Sequence, residues 1–224
     1  MVIQELAEKR AIVSINNQHS LGYYSRLFLV PKPGNRWRPI IDLSHLNKFL
    51  IVHTFRMETP ESIRASLGQG EWVTSVDLQD AYFHIPIHPQ SQKYLRFAHR
   101  GQVYQFVALP FGLATAPSVS TQLAKEMKLM VLSRDIRIHV YLDDWLIRAQ
   151  TPAQSKSHTQ TMLQLVEQLG WLVNLPKSEL NPTQDFEFVG YRFNLSEALV
   201  LPTPDRWNKL CSTVDLLEKV VSSL

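Results

Sequence analysis

Residues 136–149 read Ile-Arg-Ile-His-Val-Tyr-Leu-Asp-Asp-Trp-Leu-Ile-Arg-Ala, two apolar runs that flank Asp143 and Asp144. The apolar runs have the length and residue content of β-strands. An Asp pair between two strands is most often a β-turn, in which an Asp side chain binds its own backbone. However, residues 72–76 form a second apolar run that ends at another carboxylate, Asp77. Because a carboxylate at the end of a buried strand needs a compensating charge, the three acids are also a candidate site for hard divalent cations.

The rest of the chain mixes hairpin and helix signals without a regular strand–helix–strand alternation, which predicts an α+β fold. Thr59-Pro60-Glu61 is typical of a helix start, and Gly68 ends that helix. Apolar residues at three- and four-residue steps predict the other helices, over residues 5–13, 115–132, 153–169 and 207–224. Further strands are predicted over residues 27–30, 37–41, 94–97, 103–107, 171–173, 186–189 and 191–195.

The composition of the 224 residues excludes several classes of protein. Apolar residues make up 45% of the chain and charged residues 19%, which excludes a disordered chain and a coiled coil. Cys211 is the only cysteine, so an intramolecular disulfide and an all-cysteine zinc site are excluded. The apolar runs are far shorter than the ~20 residues of a membrane span, and charges interrupt residues 5–10. We therefore expect an intracellular protein of the cytoplasm or nucleus that is neither secreted nor membrane-bound.

The positive charge is concentrated near the start of the chain. Residues 20–56 contain six basic side chains and one acidic side chain, whereas residues 151–224 contain six basic and eight acidic ones. This asymmetry is typical of a protein that binds phosphate or nucleic acid, although chance clustering on a solvated surface would give the same pattern.

Tyr141-Leu142-Asp143-Asp144 resembles the aromatic-x-Asp-Asp box of reverse transcriptases. Six other blocks occur in the order typical of that family, across about residues 25–195. They are Lys32 with Trp37-Arg38-Pro39-Ile40-Ile41-Asp42-Leu43 and Leu46-Asn47, Val76-Asp77-Leu78-Gln79-Asp80-Ala81-Tyr82, Tyr94-Leu95-Arg96-Phe97, Leu109-Pro110-Phe111-Gly112, Leu169-Gly170-Trp171 with Pro176-Lys177-Ser178, and Phe188-Val189-Gly190-Tyr191. The flanking residues are most similar to retrotransposons of the DIRS type, and next to gypsy-like elements.

The resemblance implies the architecture of a right-hand polymerase, with an antiparallel palm sheet backed by helices, fingers hairpins and the start of a thumb. Residues 1–70 would be the N-terminal part of the fingers. Residues 71–200 would be the palm, with a fingers segment at about 86–110 and a primer grip at about 186–195. Residues 201–224 would begin the thumb.

The resemblance also implies roles for the carboxylates. Asp77 and Asp143 would bind two Mg²⁺ ions directly, for which Mn²⁺ can substitute. Asp144 would be a weaker or outer participant, because adjacent residues of an extended chain point in opposite directions unless a turn redirects them. The backbone of Leu78 would complete a metal shell.

A nucleotide site is implied at a second set of positions. Lys32 and Arg38 would neutralise the triphosphate, and Tyr82 would exclude a 2′-hydroxyl. The remaining members are the amides of Asp80 and Ala81 at the triphosphate, Phe111 and Gly112 beside the template–nucleotide pair, Lys177 at the leaving pyrophosphate, and the primer grip Val189-Gly190.

The implied activity is templated DNA synthesis from deoxynucleotides on a primed RNA or DNA template. A catalytically inactive nucleic-acid-binding remnant is the alternative from another class. An RNA-templated RNA polymerase with the same palm is disfavoured by Tyr82, and a palm-like nuclease lacks a water-activating residue. Further polyprotein domains, such as a full thumb, an RNase H, a recombinase or an integrase, are expected partners.

Overall fold

The computed structural model describes residues 2–16, 21–32 and 36–221. They form helices and antiparallel sheets, which confirms the α+β prediction. The helices are α1 (Val2–Glu8), α2 (Ser44–Asn47), α3 (Pro60–Ser66), α4 (Pro89–Gln92), α5 (Ala116–Leu132), α6 (Pro152–Gln168) and α7 (Pro204–Val221), with 3₁₀ helices at Ala81–His84 and Leu175–Lys177. The strands are β1 (Ile12–Ile15), β2 (Leu27–Lys32), β3 (Arg36–Ile41), β4 (Trp72–Asp77), β5 (Arg96–His99), β6 (Gln102–Phe106), β7 (Arg137–Tyr141), β8 (Asp144–Ala149), β9 (Glu179–Thr183), β10 (Asp185–Phe188), β11 (Tyr191–Asn194) and β12 (Leu199–Pro202).

The chain divides into two compact units, and the first comprises Met1–Arg56, Gln79–Glu126 and Gly170–Leu172. It contains the three-stranded sheet β1-β6-β5 and the hairpin β2–β3. Its core includes the stacked pair Phe97 and Tyr104, with Phe106 at 5.7 Å from the Phe97 ring. The hairpin is the one that the sequence predicts, and its turn residues 33–35 lie outside the described residues.

The second unit comprises Met57–Leu78, Met127–Leu169 and Val173–Leu224. Its four-stranded sheet has the order β7-β8-β4-β9, and α6 packs against β4, β8 and β9. The hydroxyls of Thr74 on β4 and Thr159 on α6 share a hydrogen bond of 2.5 Å, which satisfies both groups in a buried contact. The sheet β10-β11-β12 packs its stacked Phe186 and Phe193 into the same core as Val73.

A polar network ties β7 to the segment before α3. Nδ1 of His139 donates to the Glu58 carboxylate at 2.6 Å, Nε2 of His139 lies 2.7 Å from the Ser66 hydroxyl, and Lys128 also pairs with Glu58. Burial alone would raise the pKa of Glu58, but the hydrogen bonds from His139 and Lys128 outweigh it, so the pKa is lowered. The Ser66 hydroxyl also donates to the carbonyl of Ile63, so the hydrogen-bonded network connects β7 to the backbone of α3.

The sequence predicts the start of a helix correctly where the residues that cap the helix are adjacent to it. At α3 the side chain of Thr59 accepts from the amide of Ser62, the side chain of Ser62 accepts in return, and Pro60 opens the helix. In contrast, the predicted strand at residues 171–173 is wrong, because only Val173 forms a bridge, to Leu78. The predicted helix over residues 5–13 ends earlier, at Glu8, and β1 follows it.

The last position of the predicted thumb helix, Leu224, lies outside the described residues. Helix α7 covers Pro204–Val221, and Trp207, Leu210 and Val214 on it are exposed. Within the described part of the chain, no helix is long and apolar enough to cross a membrane.

Candidate functional site

The register of two neighbouring strands in the second unit brings two of the predicted acids together. Strands β4 and β8 are antiparallel, and Asp77 at the end of β4 lies directly opposite Asp144 at the start of β8. Such opposite residues have their Cβ atoms about 4.5–5.5 Å apart. Two like charges at this distance repel each other, so the pair is an unfavourable choice for packing and a suitable one for binding a cation.

A two-residue turn explains how both members of the Asp pair reach this end of the sheet. Tyr141 pairs with Asp144, which leaves Leu142 and Asp143 as the turn between β7 and β8. Leu142 has φ of 55°, a conformation that is rare for a residue with a branched side chain and that often marks a functional site. The turn interpretation and the site interpretation are therefore compatible, since the turn itself redirects the two acids.

The end of β4 is held by backbone contacts on both sides. The amide of Leu78 donates to the carbonyl of Asp143 at 2.9 Å, and the amide of Asp77 donates to the hydroxyl of Ser178 at 3.0 Å. The carbonyl of Asp77 accepts from the amide of Asn174 at 2.8 Å. These contacts fix the backbone of the predicted metal ligands before any metal binds.

Lys177 supplies the counter-charge in the metal-free protein. It ends the 3₁₀ helix Leu175–Lys177, and its ammonium lies 3.5 Å from a carboxylate oxygen of Asp77. The Asp77 side chain is only 13% exposed, whereas that of Lys177 is 54% exposed, so the Lys177 ammonium contacts Asp77 from the solvent side. Because the Lys177 side chain is solvent-exposed, its ammonium can move away from Asp77 if another cation binds to that carboxylate.

Asp77 and Asp144 line a cleft of about 110 Å³ that opens to solvent. Its walls are Ser75, Val76, Asp77, Asp144, Lys177, Glu187, Phe188 and Val189. The pKa of Asp144 is raised to about 6, first by partial burial and then by the negative charges of Asp143 and Asp77, which outweigh the lowering effect of Lys177. Although the Asp144 side chain keeps an exposed surface, the protein around it excludes enough water for this effect.

The donor set fits hard divalent cations, which prefer carboxylate oxygen. The charges of Asp143 and Asp77 both act on the Asp144 carboxylate, and a cation would reduce this repulsion. Among the described residues, no group of three or more His, Cys, Asp or Glu side chains is arranged to hold a metal ion. Asp77 and Asp144 lie on the cleft wall, and Asp143 lies on the turn between β7 and β8.

The predicted primer grip forms a tight turn at the edge of the same cleft. Val189 and Gly190 have φ of 49° and 76°, and they join β10 to β11 with Phe188 opposite Tyr191. Positive φ at both central positions is the property of a type I′ hairpin turn. The turn is anchored by Arg206, which donates to the carbonyl of Val189 at 3.2 Å and lies 4.2 Å over the ring of Tyr191.

Predicted nucleotide residues cluster within the first unit. The ring of Tyr82 lies 5.0 Å from the ring of Phe111, and the guanidinium of Arg38 lies 5.2 Å from the centre of the same Phe111 ring. Tyr82 belongs to the 3₁₀ helix that also contains Ala81, and Asp80 precedes this helix with φ of 49°. Lys32 ends β2 on the same hairpin as Arg38.

Gly112 is required by close packing. A Cβ atom at this position would lie 2.3 Å from the carbonyl oxygen of Ile41, and its φ is 106°. The amide side chain of Asn47 donates to the carbonyl of Gly112 and accepts from the amide of Ala114, both at 2.9 Å. Asn47 is thus a positioning residue to which the sequence assigns no role.

The predicted site residues fall into two groups, one in each unit. The first unit contains Lys32, Arg38, Asp80, Ala81, Tyr82, Phe111 and Gly112, and the second contains Asp77, Leu78, Asp143, Asp144, Lys177, Val189 and Gly190. Glu187 and Ser178 were missed by the sequence analysis, because single polar residues on a strand or after a short helix carry no periodic signal.

Comparison with known proteins gives one family. The family described as reverse transcriptase (RNA-dependent DNA polymerase) matches residues 30–193. The Pro-Pol polyprotein of Simian foamy virus type 1 is 25% identical over 191 residues, which are 85% of this chain and 16% of the polyprotein. The Transposon Tf2-3 polyprotein of Schizosaccharomyces pombe is 24% identical over 189 residues, which are 82% of this chain and 13% of the polyprotein. The chain thus spans only a small part of these relatives.

Solved structures agree with this result. A foamy viral protease-reverse transcriptase in complex with double-stranded DNA has a TM-score of 0.79 at 22% identity, and covers 91% of this chain and 34% of its own. The same viral protein in complex with an RNA/DNA hybrid has a TM-score of 0.75 at 20% identity, over 91% of this chain and 26% of its own. The predicted fold, a polymerase palm with fingers hairpins and the start of a thumb, is confirmed, while the DIRS-like or gypsy-like subtype stays a prediction.

Proposed function

The chain belongs to the reverse transcriptase (RNA-dependent DNA polymerase) family, and we propose from this that it is the nucleotidyl-transfer centre of such a polymerase. The substrates would be deoxynucleoside triphosphates and a primer annealed to an RNA or DNA template. The 3′-oxygen of the primer attacks the α-phosphorus in line, a new P–O bond forms, and the bond to the β-phosphate breaks to release pyrophosphate. The proton of the 3′-hydroxyl passes to solvent.

The observation that carries the proposal is the pairing of Asp77 with Asp144 across β4 and β8, next to Asp143 on the turn. Partial burial, together with the charges of Asp143 and Asp77, raises the pKa of Asp144 to about 6. This arrangement disfavours the folded metal-free protein, which is expected where binding of a cation is the purpose of the site.

Asp77, Asp143 and the backbone of Leu78 would hold two Mg²⁺ ions, with Mn²⁺ as a substitute and Asp144 as an outer participant. When bound, these ions supply charge neutralisation and a more acidic 3′-hydroxyl. Asp144 lines the same cleft as Asp77, which supports its participation. Lys177 balances Asp77 until the ions bind and is then available to protonate the leaving pyrophosphate.

The first unit would bind the nucleotide. Arg38 and Lys32 neutralise the triphosphate, and the amides of Asp80 and Ala81 bind its oxygens. Tyr82 is backed by the ring of Phe111, and this support makes it a rigid wall against a 2′-hydroxyl. The contact between the two rings supports this role, because it restricts movement of the Tyr82 ring.

The primer would follow the primer grip. The turn Val189-Gly190 is held by Arg206 from α7, which makes it a stable support for the primer end. Double-stranded DNA and an RNA/DNA hybrid, as bound by the foamy viral proteins, are the expected ligands. The fingers (1–70), palm (71–200) and thumb (201–224) divisions, an intracellular location in the cytoplasm or nucleus, and further polyprotein domains are part of the same proposal.

Primer extension tests the proposed function. The chain is incubated with Mg²⁺ or Mn²⁺, labelled primer on RNA or DNA template, and deoxynucleotides, beside Asp77→Asn, Asp144→Asn and the control Asp135→Asn. Asp135 is a matched control, because it is exposed on another turn and Asn tolerates its φ of 58°. Extension by the parent and Asp135→Asn, with loss of several orders of magnitude in Asp77→Asn, supports the proposal.

Two other outcomes contradict it. Tight primer–template binding without extension under any of these conditions favours the alternative, an inactive nucleic-acid-binding remnant. Preference of the parent for ribonucleotides would identify an RNA polymerase instead.

A further inference from the structure

Lys9 lies outside the residues that match the family and has no role in the proposed chemistry. It directly follows α1, and its ammonium lies 3.0 Å from a carboxylate oxygen of Asp80 and 2.5 Å from one of Glu5. The Lys9 and Asp80 side chains are 29% and 26% exposed, so the pair is partly shielded from solvent. Glu5 is one helical turn away and 55% exposed, so its own charge is well solvated.

Asp80 occupies an unusual backbone position. Its φ is 49°, and its carbonyl accepts from the amide of Phe83 at 2.7 Å to begin the 3₁₀ helix Ala81–His84. Asp at the start of a helix usually caps it with its side chain, but the Asp80 side chain makes no capping hydrogen bond. Its carboxylate is instead directed to Lys9.

This carboxylate belongs to the segment that would receive the triphosphate. Asp80 is followed by Ala81 and by Tyr82, whose ring contacts Phe111 beneath Arg38. A nucleoside triphosphate is a polyanion, and an uncompensated carboxylate beside its binding segment would repel it. The Lys9 ammonium removes that repulsion without occupying the site itself.

We propose that Lys9 is a positioning residue for nucleotide binding, which neutralises the Asp80 carboxylate and holds the segment 80–82 so that its amides face the triphosphate. The proposal rests on the proposed function. Burial would lower the pKa of Lys9, but the hydrogen bonds to Glu5 and Asp80 outweigh it and raise the pKa, so the ammonium stays charged throughout the working pH range.

A double-mutant cycle tests the proposal through the deoxynucleotide KM and kcat. Lys9→Met keeps most of the side-chain volume and leaves the Asp80 carboxylate uncompensated. The deoxynucleotide KM should then rise about fivefold, because the carboxylate repels the triphosphate, whereas kcat should stay within about twofold of the parent. Lys9→Arg keeps the charge and should restore the parental KM. Lys125→Met is the control, because Lys125 is an exposed lysine of the same unit.

The cycle separates charge from structure. In an Asp80→Asn background, Lys9→Met should no longer change KM, because there is no carboxylate left to neutralise. The effect of Lys9→Met on KM in the parental background should also become smaller as the salt concentration increases from about 50 to about 300 mM, because salt screens partly exposed charges. A proportional fall in kcat, equal loss in the Asp80→Asn background, or independence of salt would each overturn the proposal.

Nucleotide binding is also measured without chemistry, on a primer that ends in a dideoxynucleotide. If the parent binds nucleotide there but extends no normal primer, the proposed function fails, whereas the effect of Lys9→Met on binding still decides the present inference. If the parent binds no nucleotide in either assay, both proposals are overturned.

Discussion

Partial burial of Asp144 and the nearby charges of Asp143 and Asp77 predict that this carboxyl group contributes less to stability as the pH rises through the weakly acidic range. The pKa of Asp144 is raised from its ordinary value of 3.8 to about 6 in the folded protein. Between these two values the folded chain keeps a proton that the unfolded chain has lost, so unfolding releases a proton and stability decreases as the pH increases. Below the lower value the effect vanishes, and above about pH 6 the full penalty remains.

Replacing the carboxylate with an amide removes this penalty. A rise from 3.8 to about 6 corresponds to about 3 kcal/mol at 1.36 kcal/mol for each pH unit. Because Asp144 is exposed, solvent screening reduces the expected gain to about 1 kcal/mol. Asp144→Asn should therefore be more stable than the parent by about 1 kcal/mol at pH 8, and the gain should disappear near pH 4.

Urea unfolding in EDTA, followed by fluorescence from pH 4 to pH 8, measures the difference. Asp135→Asn, an exposed turn position, should show no such pH-dependent gain. Adding Mg²⁺ at pH 8 should stabilise the parent more than Asp144→Asn, since a cation relieves the same repulsion that the amide removes. A gain that is equal at pH 5 and pH 8, or an Asp144→Asn protein that is less stable at pH 8, would refute the electrostatic argument.

Three further predictions concern the first unit. Gly112→Ala should destabilise the protein by about 3 kcal/mol or more, because its Cβ would overlap the carbonyl of Ile41. Gly170→Ala is the control for thermal unfolding and should cost less, because its Cβ would meet no atom within 4 Å and only its φ of 78° is unfavourable. Arg38→Ala should raise the deoxynucleotide KM with little change in primer–template affinity, and equal loss of duplex affinity at all salt concentrations would assign Arg38 to the template instead. Tyr82→Val should admit ribonucleotides markedly better in a misincorporation assay, and unchanged discrimination would make Tyr82 an ordinary core residue.

Local sequence chemistry determined the elements whose signals are contiguous. The capping residues Thr59 and Pro60 begin α3 where they predict it, because a cap satisfies the backbone of its own first turn. The two apolar runs around Asp143 form the predicted hairpin, because a two-residue turn forces their pairing. The resemblance of ordered motifs then gave the family and its fold, which no single element could.

Elements that depend on a distant partner were not predicted. Strand β9 (Glu179–Thr183) is polar and contains Pro182, and it exists because it pairs with β4, about a hundred residues earlier in the chain. Residues 171–173 have strand-like apolar character but only Val173 bridges, because a strand needs a partner along its length.

The sequence by itself indicated the acids that we propose to carry the chemistry, but not how they face one another. Only the register of β4 and β8 places Asp77 opposite Asp144, and a shift by one residue would turn the side chains to the other face. The ion pair between Lys9 and Asp80 likewise joins residues 71 positions apart. Contacts of this kind arise from the free energy of packing the whole chain, and a local pattern of residues holds no information about them.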